Sequence, residues 1–448
     1  MAIIYVPRRH EQDITRFIAD AETHKPVLLL DGARQVGKTT LVDAVLAKSA
    51  KDGVRINLER DTLVRSAIDD CRDFAEFEDL LLDRFGFRGD ADQVLFVDEA
   101  QESRMLGSFV RFMKESWAHA TVILSGSTLR RLFRPHTRYP VGRVRHLVLG
   151  PFSFSEFLLA LDKTHLAAEV LSANTRISGQ RHELLLSLFD RFLAVGGLPA
   201  VVQAYASGDD HGAVRRQIIA DYEQDFIRIF GEELIDIVKA CFRSVANFAG
   251  GVSKNTSVVP SPSSRTNERI NHVFARLEGW HLILRSDQRG SSAQASHNYL
   301  PKRYLFDTGV LRELREAAVP PISAVNTLSS AARTPLGAVI ENQTAIELAR
   351  SGRELTGWKR TPSGAEIDFI FKRNGTTVPV ECKAALSVNR KHMRGLVEYL
   401  RLHGLRHGSV VSLAPCSTTV IDGFEVTNLP TYLLERLGSG SAASYARQ

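Results

Sequence analysis

The chain has few cysteines, and their spacing excludes two kinds of covalent framework. Cys71, Cys241, Cys382 and Cys416 are the full set among 448 residues, and no two of them form a C-x-x-C pair. Neither a disulfide framework nor a thiolate zinc site is expected from such scattered thiols. The cysteine content therefore fits a reducing compartment, and we expect a cytoplasmic protein.

The sequence also lacks a long uninterrupted apolar run. Its most apolar window, ELLLSLFDRFLAVGGLPAVV, is interrupted by Asp190 and Arg191. The first residues, MAIIYVPRRH, do not have the layout of a signal peptide. A membrane-spanning helix needs about 20 predominantly apolar residues. We therefore expect no membrane segment and no membrane partner.

Core-forming material is present in ordinary measure. Hydrophobic residues make up 44% of the chain and charged residues 24%, as in most globular proteins. A length of 448 residues exceeds the size of one hydrophobic core, so we expect roughly three or four domains. The net charge of +6 and the pI near 9.1 are compatible with a polyanionic partner.

A phosphate-binding motif lies near the start of the chain. The segment PVLLLDGARQVGKTTLVDAVLA has the pattern of a buried strand, a loop and an amphipathic helix. It contains G-x-x-x-x-G-K-[ST], in which backbone N–H groups surround phosphates, lysine reaches the β- and γ-phosphates and threonine coordinates magnesium. The motif predicts a site for ATP and Mg²⁺ made of Gly32, Ala33, Arg34, Gln35, Val36, Gly37, Lys38, Thr39 and Thr40.

Two further segments supply groups that hydrolysis requires. In VLFVDEAQ, four apolar residues form a buried strand that ends at Asp98 and Glu99. We predict that Asp98 holds the magnesium ion and that Glu99 polarises a water molecule. In VILSGS, Ser125 or Ser127 is expected near the γ-phosphate, where a hydroxyl could sense hydrolysis. The alternative is that Ser-Gly-Ser only makes a turn.

The order of apolar runs predicts an α/β fold with a parallel sheet for the first part of the chain. VRINLER, QVLFVDEAQ and ATVILSGS are short apolar runs separated by helical segments. We assign residues 1–150 to a P-loop ATPase core. Residues 151–219 carry apolar residues at helical spacing and are predicted to form a helical lid.

Residues 220–315 have the pattern of a winged-helix domain. Several helical segments are followed by WHLILRS and YLPKRYLF, which we read as a β-hairpin. The segment SSRTNERINHVFARLEGWHLI would be its recognition helix, although winged helices also mediate protein contacts. Arginine and asparagine are the side chains that contact base edges and phosphates. The predicted DNA-binding residues are Arg265, Asn267, Arg269 and Asn271, with His272 beside them. An Ala/Ser/Pro-rich linker is predicted at residues 316–334.

Six arginines and no acidic residue lie between Arg130 and Arg145. The simplest interpretation is a solvated surface. Two functional alternatives are contact with a nucleic-acid backbone and an arginine finger that enters the ATP site of a neighbouring subunit. Arg143 follows a Pro-x-Gly turn, and we predict that it is the finger. A homo-oligomer formed through the ATPase domain follows from this prediction.

The far end of the chain is predicted to contain a helix and a hairpin that carries acidic residues. GAVIENQTAIELARSG reads as a helix, and GAEIDFIFKRNGTTVPVECKA reads as a hairpin turned at Asn374 and Gly375. Strand alternation brings Asp368 near Glu381 as magnesium ligands, with Lys383 placed to position water. A surface hairpin with salt bridges is the alternative. The last residues, 437–448, are expected to be disordered.

Several of these motifs together resemble a known family. GARQVGKTT, VDEAQ, LSGST, GR followed by LGPFSFSEFL, GGLPAVV and PKRYLFDTGVL occur in this order. In this respect the chain is similar to bacterial and archaeal AAA-type (AAA_14) ATPases that carry a C-terminal DUF4143 region. The resemblance covers nearly the whole chain. Ala33 departs from the commoner form of the motif, which has proline at that position.

The resemblance implies functional residues beyond those read from spacing. It implies that residues 335–436 have a PD-(D/E)xK nuclease-like fold, in which Glu341 completes the set with Asp368, Glu381 and Lys383. In related signal-transduction ATPases a Gly-x-Pro motif in the lid contacts the nucleotide, and the equivalent here is Pro199. An ordinary helix-ending turn is the alternative for Pro199. Whether the nuclease-like region cleaves is left open, because such folds also persist as binding modules.

Two function classes follow from these expectations. In the first, the protein is a DNA-dependent ATPase that remodels or processes DNA, with the winged helix and the nuclease-like region as its nucleic-acid end. In the second, ATP binding and slow hydrolysis form a molecular switch that gates an effector domain or a protein partner. Stimulation of hydrolysis by DNA distinguishes the two classes.

Overall fold

The computed structural model describes residues 5–133, 140–172, 177–290, 299–361 and 364–438. The chain forms two compact units, one of residues 1–150 with 279–281 and the other of residues 151–278 with 282–448. Three sequence predictions fall partly or wholly outside the described ranges. They concern Arg134 and Arg138 of the arginine stretch, the hairpin tip at residues 291–298, and most of the predicted disordered tail.

The first unit is built on a five-stranded parallel sheet with the order β2-β3-β4-β1-β5. Its strands are β1 Val27–Asp31, β2 Asp52–Asn57, β3 Gln93–Asp98, β4 Thr121–Ser125 and β5 Val144–Val148. The three central strands are buried at every position. Their apolar runs are continuous because helices cover both faces of such a sheet. This confirms the predicted α/β core.

Five helices belong to this unit, one before β1 and four between the strands. They are α1 Glu11–Ala19, α2 Lys38–Leu46, α3 Thr62–Asp70, α4 Phe74–Phe85 and α5 Leu106–Ser116. Aromatic rings fill the space between α4 and α5, where Phe77 stacks on Phe109 with a centroid distance of 4.8 Å. Trp117 packs edge-on against Phe87 at 5.1 Å. These contacts fix the helices that support the end of β3.

The second unit begins with a helical region. Its first helices are α6 Phe154–Ala160, α7 Thr164–Leu171, α8 Gly179–Val195, α9 Pro199–Ser207 and α10 His211–Phe230. A capping box of Ser153 and Glu156 starts α6, because each side chain satisfies a backbone N–H at the helix end. Pro199 occupies the first turn of α9, where its missing N–H costs nothing.

The rest of the second unit combines helices with two sheets. The helices are α11 Ile235–Asn247, α12 Ser264–Gly279, α13 Thr308–Leu314, α14 Ser330–Arg350, α15 Arg394–Leu402 and α16 Glu435–Gly438. The strands are β6 Ile283–Arg289, β7 Lys302–Leu305, β8 Leu355–Lys359, β9 Glu366–Ile367, β10 Phe369–Arg373, β11 Thr376–Lys383, β12 His407–Ser412, β13 Ser417–Ile421 and β14 Phe424–Pro430.

The predicted wing differs from an independent hairpin. Strands β6 and β7 pair antiparallel, as expected, but β6 also pairs in parallel with β8, in the order β7-β6-β8-β9. The second sheet has the order β10-β11-β12-β14-β13. A free strand edge exposes unpaired backbone groups, and β8 satisfies those of β6. The helix–hairpin region and the C-terminal region therefore share one sheet.

The predicted linker at residues 316–334 contains ordered structure. Ile322 and Val325 are buried, and Ser329 caps α14 by accepting a hydrogen bond from the Ala332 N–H at 3.3 Å. The last part of the segment, from Ser330, is the first turn of α14. The Ala/Ser/Pro composition favours a linker locally, but two apolar residues and a helix cap tie the segment to its surroundings.

The hairpin of β10 and β11 has the turn that its sequence predicts. Asn374 and Gly375 connect the strands with φ values of 49° and 78°, and Arg373 pairs with Thr376 across the turn. A two-residue turn with positive φ at both positions matches the right-handed twist of the strands. In a separate respect, no helix among the described residues is long and apolar enough to cross a membrane.

Candidate ATP site and carboxylate cluster

The phosphate loop follows the central strand β1 and leads directly into α2. Its backbone curls through three residues of positive φ, which are Gly32 at 146°, Gln35 at 62° and Gly37 at 92°. A Cβ atom on Gly32 would lie 2.2 Å from the backbone oxygen of Leu149, so only glycine fits at the start of the loop. This curl is the backbone geometry that turns N–H groups toward an anion.

Lys38 is the first residue of α2, and its side chain is almost fully buried. Its Nζ donates to the carbonyl oxygens of Gly32 at 2.8 Å and Ala33 at 2.9 Å. Burial lowers the pKa of Lys38, while the nearby carboxylates of Glu99 and Asp31 act in the opposite direction. The loop thus holds the ammonium group with carbonyl groups, and no carboxylate neutralises it by direct contact within the described ranges.

Asp98 is the last residue of β3 and the centre of a hydrogen-bond network. The Thr39 hydroxyl donates to its Oδ2 at 2.7 Å, and Asn57 Nδ2 donates to the same oxygen at 3.1 Å. The Ser125 hydroxyl and the Glu99 N–H donate to Oδ1. Parallel strands end at the same edge, which is why β2, β3 and β4 bring these groups together. The two predicted magnesium ligands, Thr39 and Asp98, are therefore in direct contact.

Glu99 lies at the turn beyond β3 in a left-handed conformation with φ 49°. Such a backbone costs about 1–3 kcal/mol for a residue other than glycine and is typical of functional sites. Gln101 Nε2 donates to Glu99 Oε2 at 2.5 Å. Burial raises the pKa of the Glu99 carboxyl, and Lys38 and the Gln101 hydrogen bond offset part of that rise. A carboxylate with a raised pKa is a better general base near neutral pH.

Of the two candidate serines, Ser125 is the one that contacts the site. It ends β4, is fully buried and donates to Asp98. Ser127 lies beyond the strand, is buried, and its hydroxyl makes no hydrogen bond to any described residue. Strand β4 lies between β1 and β3, so it carries both serines toward the phosphate loop. A sensing role for Ser127 stays a prediction.

Three residues at this edge of the first unit were missed by sequence reasoning. Asn57 ends β2 and contacts Asp98. Arg8 Nη1 donates to the Val36 carbonyl at 2.8 Å and Nη2 donates to the Gly150 carbonyl at 2.7 Å, so it braces the phosphate loop. Neither residue belongs to a local motif, and their contacts depend on residues far away in the sequence.

The third missed residue is His281, from the short segment 279–281 that belongs to the first unit. Its Nε2 lies 3.0 Å from Asp31 Oδ2, and the other Asp31 oxygen accepts from the Gly32 N–H at 2.9 Å. Burial alone would raise the pKa of Asp31, but His281 and the Gly32 N–H hold it below its ordinary value. The ionised form of Asp31 is therefore favoured, and its carboxylate holds the first turn of the loop through the Gly32 N–H.

The residues at the first site fit a nucleotide and a magnesium ion. The curled loop and the buried Lys38 offer positive charge to phosphates, and Thr39 with Asp98 offers two hard oxygens. Arg34 lies on the outer part of the loop and pairs with Glu59 at 3.0 Å. When bound, magnesium would neutralise charge on the phosphate oxygens. Pro199 lies in the second unit, and its contact with nucleotide stays a prediction.

Arg143 lies at the other end of the sheet from the phosphate loop. It precedes β5, whose first residue pairs with Val27 at the beginning of β1. The loop follows the far end of β1, about 13 Å away for a strand of this length. The Arg143 guanidinium pairs with Glu115 at 2.7 Å and is about one-third exposed. Any contribution of Arg143 to hydrolysis would therefore be made to a neighbouring copy of the chain.

We expect the fall of kcat at acidic pH, the acidic limb of the pH profile, to reflect protonation of Glu99. A general base must be ionised, so kcat falls as pH drops through its raised pKa. In Gln101→Ala, loss of the hydrogen bond to Oε2 raises that pKa further, and the limb should move to higher pH. Steady-state ATPase rates from about pH 5 to 8 measure this shift. A limb that stays in place or moves to lower pH would contradict the assignment.

The four predicted residues of the nuclease-like site converge in the second unit. Glu341 extends from α14, Asp368 lies between β9 and β10, and Glu381 and Lys383 lie on β11. Asp368 Oδ2 accepts from the Cys382 N–H at 2.9 Å, which places it beside Glu381 across the hairpin. Lys383 Nζ contacts Glu381 Oε1. The spacing of the motif therefore predicted this meeting correctly.

A further side chain, Lys302 from β7, occupies the centre of these acids. Its Nζ lies 2.9 Å from Glu341 Oε1 and 3.1 Å from Asp368 Oδ1, and it also contacts Glu366. The Tyr304 hydroxyl donates to Glu341 Oε1 at 2.8 Å. We call Glu341, Glu366, Asp368 and Glu381 the carboxylate cluster, and Lys302 lies among them. Sequence reasoning placed Lys302 on a hairpin and missed this contact.

Protonation of the carboxylate cluster follows from burial and mutual charge. Burial and the proximity of Asp368 raise the pKa of Glu341 to about 7, against the effect of Lys302. Burial and Asp368 likewise raise the pKa of Glu381. Burial opposes ionisation of Lys302, but the surrounding carboxylates outweigh it and raise its pKa well above the ordinary value. The ion pairs with Glu341 and Asp368 favour the protonated form of Lys302.

The carboxylate cluster does not fit the magnesium ion that the nuclease resemblance implies. Within the described ranges, no group of three or more histidine, cysteine or acidic side chains is arranged to hold a metal. The oxygens that a metal would need are bound to Lys302. A divalent ion about 4 Å from an ammonium group is opposed by about 8 kcal/mol at an effective dielectric constant of about 20. The predicted metal role of Asp368 and Glu381 is therefore not supported.

The predicted DNA-binding residues lie on α12 and fall into two sets. Arg265 is exposed, Arg269 is half-buried, and the two lie four residues apart on one side of the helix. Neither forms an ion pair with a described residue. Asn267 and Asn271 instead accept hydrogen bonds from Asn255 Nδ2 at 2.9 and 3.2 Å. The two asparagines therefore join α12 to the preceding segment.

The parallel sheet, the phosphate loop and the Thr39–Asp98 contact give the first unit the features of a P-loop domain. Residues 24–158 match the AAA domain family, and residues 336–432 match a domain of unknown function, DUF4143. A second domain of unknown function, DUF8612, matches residues 186–319. The chain thus carries an AAA domain followed by a DUF4143 domain, which confirms the architecture that its motifs indicated.

Matches among solved structures include two proteins with low TM-scores. The Orc1 protein of Aeropyrum pernix, in complex with DNA, is 13% identical, covers 70% of this chain and 92% of its own, and has a TM-score of 0.32. Cdc6p from Pyrobaculum aerophilum is 18% identical, covers 63% of this chain and 89% of its own, and has a TM-score of 0.27. No curated protein matches the chain in sequence.

Proposed function

We propose that the protein is an ATP-hydrolysing, DNA-binding protein that remodels or processes DNA. The observation that carries the ATPase part is the contact of Thr39 with Asp98 beside the partly buried carboxyl of Glu99. A site that only binds nucleotide needs no carboxylate with a raised pKa next to its magnesium ligands. Since hydrolysis requires a base, this arrangement favours turnover over simple nucleotide binding.

Each residue of the proposed site has a separate role. Lys38 and the loop backbone bind and orient the phosphates, while Thr39 and Asp98 hold the magnesium ion. Glu99 removes a proton from the attacking water, and Gln101 holds its carboxylate in place. Asn57 and Ser125 keep Asp98 oriented by hydrogen bonds to its two oxygens. Assembly into a homo-oligomer would let Arg143 complete a neighbouring site.

The DNA part of the proposal is supported by charge. The chain has a net charge of +6, and α12 presents Arg265 and Arg269 without an acidic partner in the described ranges. Arginines placed this way can contact phosphates in a sequence-independent manner. Metal-dependent cleavage is left out of the proposal, because Lys302 occupies the carboxylate cluster.

We expect DNA to stimulate ATP hydrolysis. The test compares ATPase rates without DNA and with single-stranded, duplex and branched DNA at constant salt. In the double variant Arg265→Ala, Arg269→Ala, stimulation should require more DNA. The magnitude of the slope of log affinity against log salt concentration should decrease by about 2. Arg84→Ala, an exposed arginine on α4 of the first unit, is the matched control.

Three results would contradict parts of the proposal. If no DNA binds and none changes the ATPase rate, the DNA part is wrong and a nucleotide switch for a protein partner is favoured. If Arg84→Ala weakens binding as strongly as the α12 variant, α12 is not the contact surface. An unchanged salt slope in the α12 variant leads to the same conclusion.

A further inference from the structure

Lys302 is held in the carboxylate cluster by both its backbone and its environment. It is the first residue of β7, where it pairs with Ser286 of β6 on one side and with Val252 on the other. Its side chain is only 2% exposed. The strand therefore places the ammonium group at the carboxylates, in a buried position.

The acidic partners come from separate elements that are themselves locked against β7. Asn342 of α14 donates to the Leu305 carbonyl and accepts from the Leu305 N–H, both at 2.8 Å. This double hydrogen bond sets the position of Glu341 relative to Lys302. Asp368 is fixed by the Cys382 N–H at 2.9 Å. The ammonium group is therefore held among the carboxylates of the cluster.

We propose that Lys302 is the resident cation of the carboxylate cluster, that it excludes divalent metal from a nuclease-like site, and that Glu341, Asp368 and Glu381 form a latent divalent-cation site. The inference is independent of the ATPase proposal, because the cluster lies wholly in the second unit. It also explains the nuclease-like spacing without requiring cleavage. The protein would retain the acids of such a site while a lysine takes the position of the metal.

The composition of the carboxylate cluster supports a latent site. Lys302 occupies one oxygen each of Glu341 and Asp368 at distances of 2.9 and 3.1 Å. Glu381 Oε2 is buried and has no hydrogen-bond donor among the described residues. Without Lys302, Asp368 Oδ1 and Glu381 Oε2 would lack a hydrogen-bond donor among the described residues, and Glu341 Oε1 would keep only the Tyr304 hydroxyl. Hard divalent cations prefer this kind of oxygen set.

The first test uses the full-length, nucleotide-free protein and Mn²⁺ as the probe. Wild type and Asp368→Asn are compared by isothermal titration and by the shift in melting temperature with Mn²⁺. We expect wild type and Asp368→Asn to bind Mn²⁺ equally. We also expect the substitution to leave any DNA cleavage with Mn²⁺ unchanged. Either kind of dependence on Asp368 would overturn the proposal.

The second test removes the resident cation. Lys302→Met keeps the length of the side chain without its charge, and it should gain one Mn²⁺ site per chain. The gained Mn²⁺ site should disappear in the double variant Lys302→Met, Asp368→Asn. This result would assign the new site to the carboxylate cluster. Lys302→Arg keeps the charge and should gain nothing. Lys359→Met is the matched control, because Lys359 contacts Glu366 at 2.8 Å from outside the acids that would bind metal.

Each outcome of the second test decides the proposal. A folded Lys302→Met that binds no Mn²⁺ would overturn it, as would an equal gain in Lys359→Met. Rescue of an unstable Lys302→Met by Mn²⁺ would support it, because binding to the folded state raises stability. If Lys302→Met does not fold with or without Mn²⁺, the comparison of wild type with Asp368→Asn decides whether metal is excluded.

Discussion

Glu99→Gln is expected to lower kcat for ATP hydrolysis by about 100- to 10,000-fold, the usual contribution of a general base. Nucleotide affinity should stay close to that of wild type. Glutamine keeps the size of the side chain and a group that can contact Gln101, but it cannot accept a proton. The partly buried position of Glu99 beside Asp98, with a raised pKa, is the reason for this large effect.

The loss of turnover is measured by single-turnover and steady-state ATPase assays, and affinity by binding of a fluorescent ATP analogue. Lys38→Ala provides the contrast, since it should abolish nucleotide binding by removing the ammonium group from the loop. Glu102→Gln is the matched control, because Glu102 lies three residues later and faces Arg65 at 3.9 Å. Full hydrolysis by Glu99→Gln would show that another group activates the water.

Arg143→Ala is expected to lower the ATPase rate by about 10³- to 10⁵-fold in the assembled protein, the range measured for arginine fingers. Arg143 is too far from its own phosphate loop to contribute there, since β5 begins beside the start of β1. Its effect would be exerted on a neighbouring subunit. Breaking its ion pair with exposed Glu115 should cost little, because solvent weakens ion pairs on the surface.

Mixing experiments separate an action in trans from a local effect. Arg143→Ala and Lys38→Ala subunits are each expected to be inactive, but a mixed assembly would contain sites with an intact loop from one subunit and an intact arginine from the other. Activity should therefore partly return. Arg111→Ala removes the other arginine that contacts Glu115, with a distance of 3.1 Å, and should keep nearly full activity. No recovery in mixtures that demonstrably co-assemble would exclude a finger role.

Local motifs were sufficient to predict the phosphate loop. Gly32, Gly37 and Lys38 lie within a few residues of one another, and the strand and helix on either side are indicated by apolar periodicity. Asp98 and Glu99 were found in the same way, at the end of an apolar run. The Asn374-Gly375 turn was predicted because two adjacent positions with positive φ strongly favour those residues.

Domain limits and surface roles were harder to obtain from sequence. The segment 316–334 has the composition of a linker, yet it contains buried apolar residues and the start of α14. The hairpin of β6 and β7 resembled a separate wing, yet β6 pairs with β8. Composition reports the average behaviour of a segment, whereas strand pairing depends on a partner elsewhere in the chain.

The sequence by itself determined the phosphate loop, the acids at the end of β3 and the meeting of Asp368 with Glu381, because each depends on neighbours in the chain or on strand alternation. Only the tertiary structure decided what those acids bind. Lys302 reaches Glu341 and Asp368 through the pairing of β7 and its contact with α14. Charges that are distant in sequence are balanced only when the strands and helices that carry them pack together, so no local pattern could reveal that a lysine takes the position of a metal.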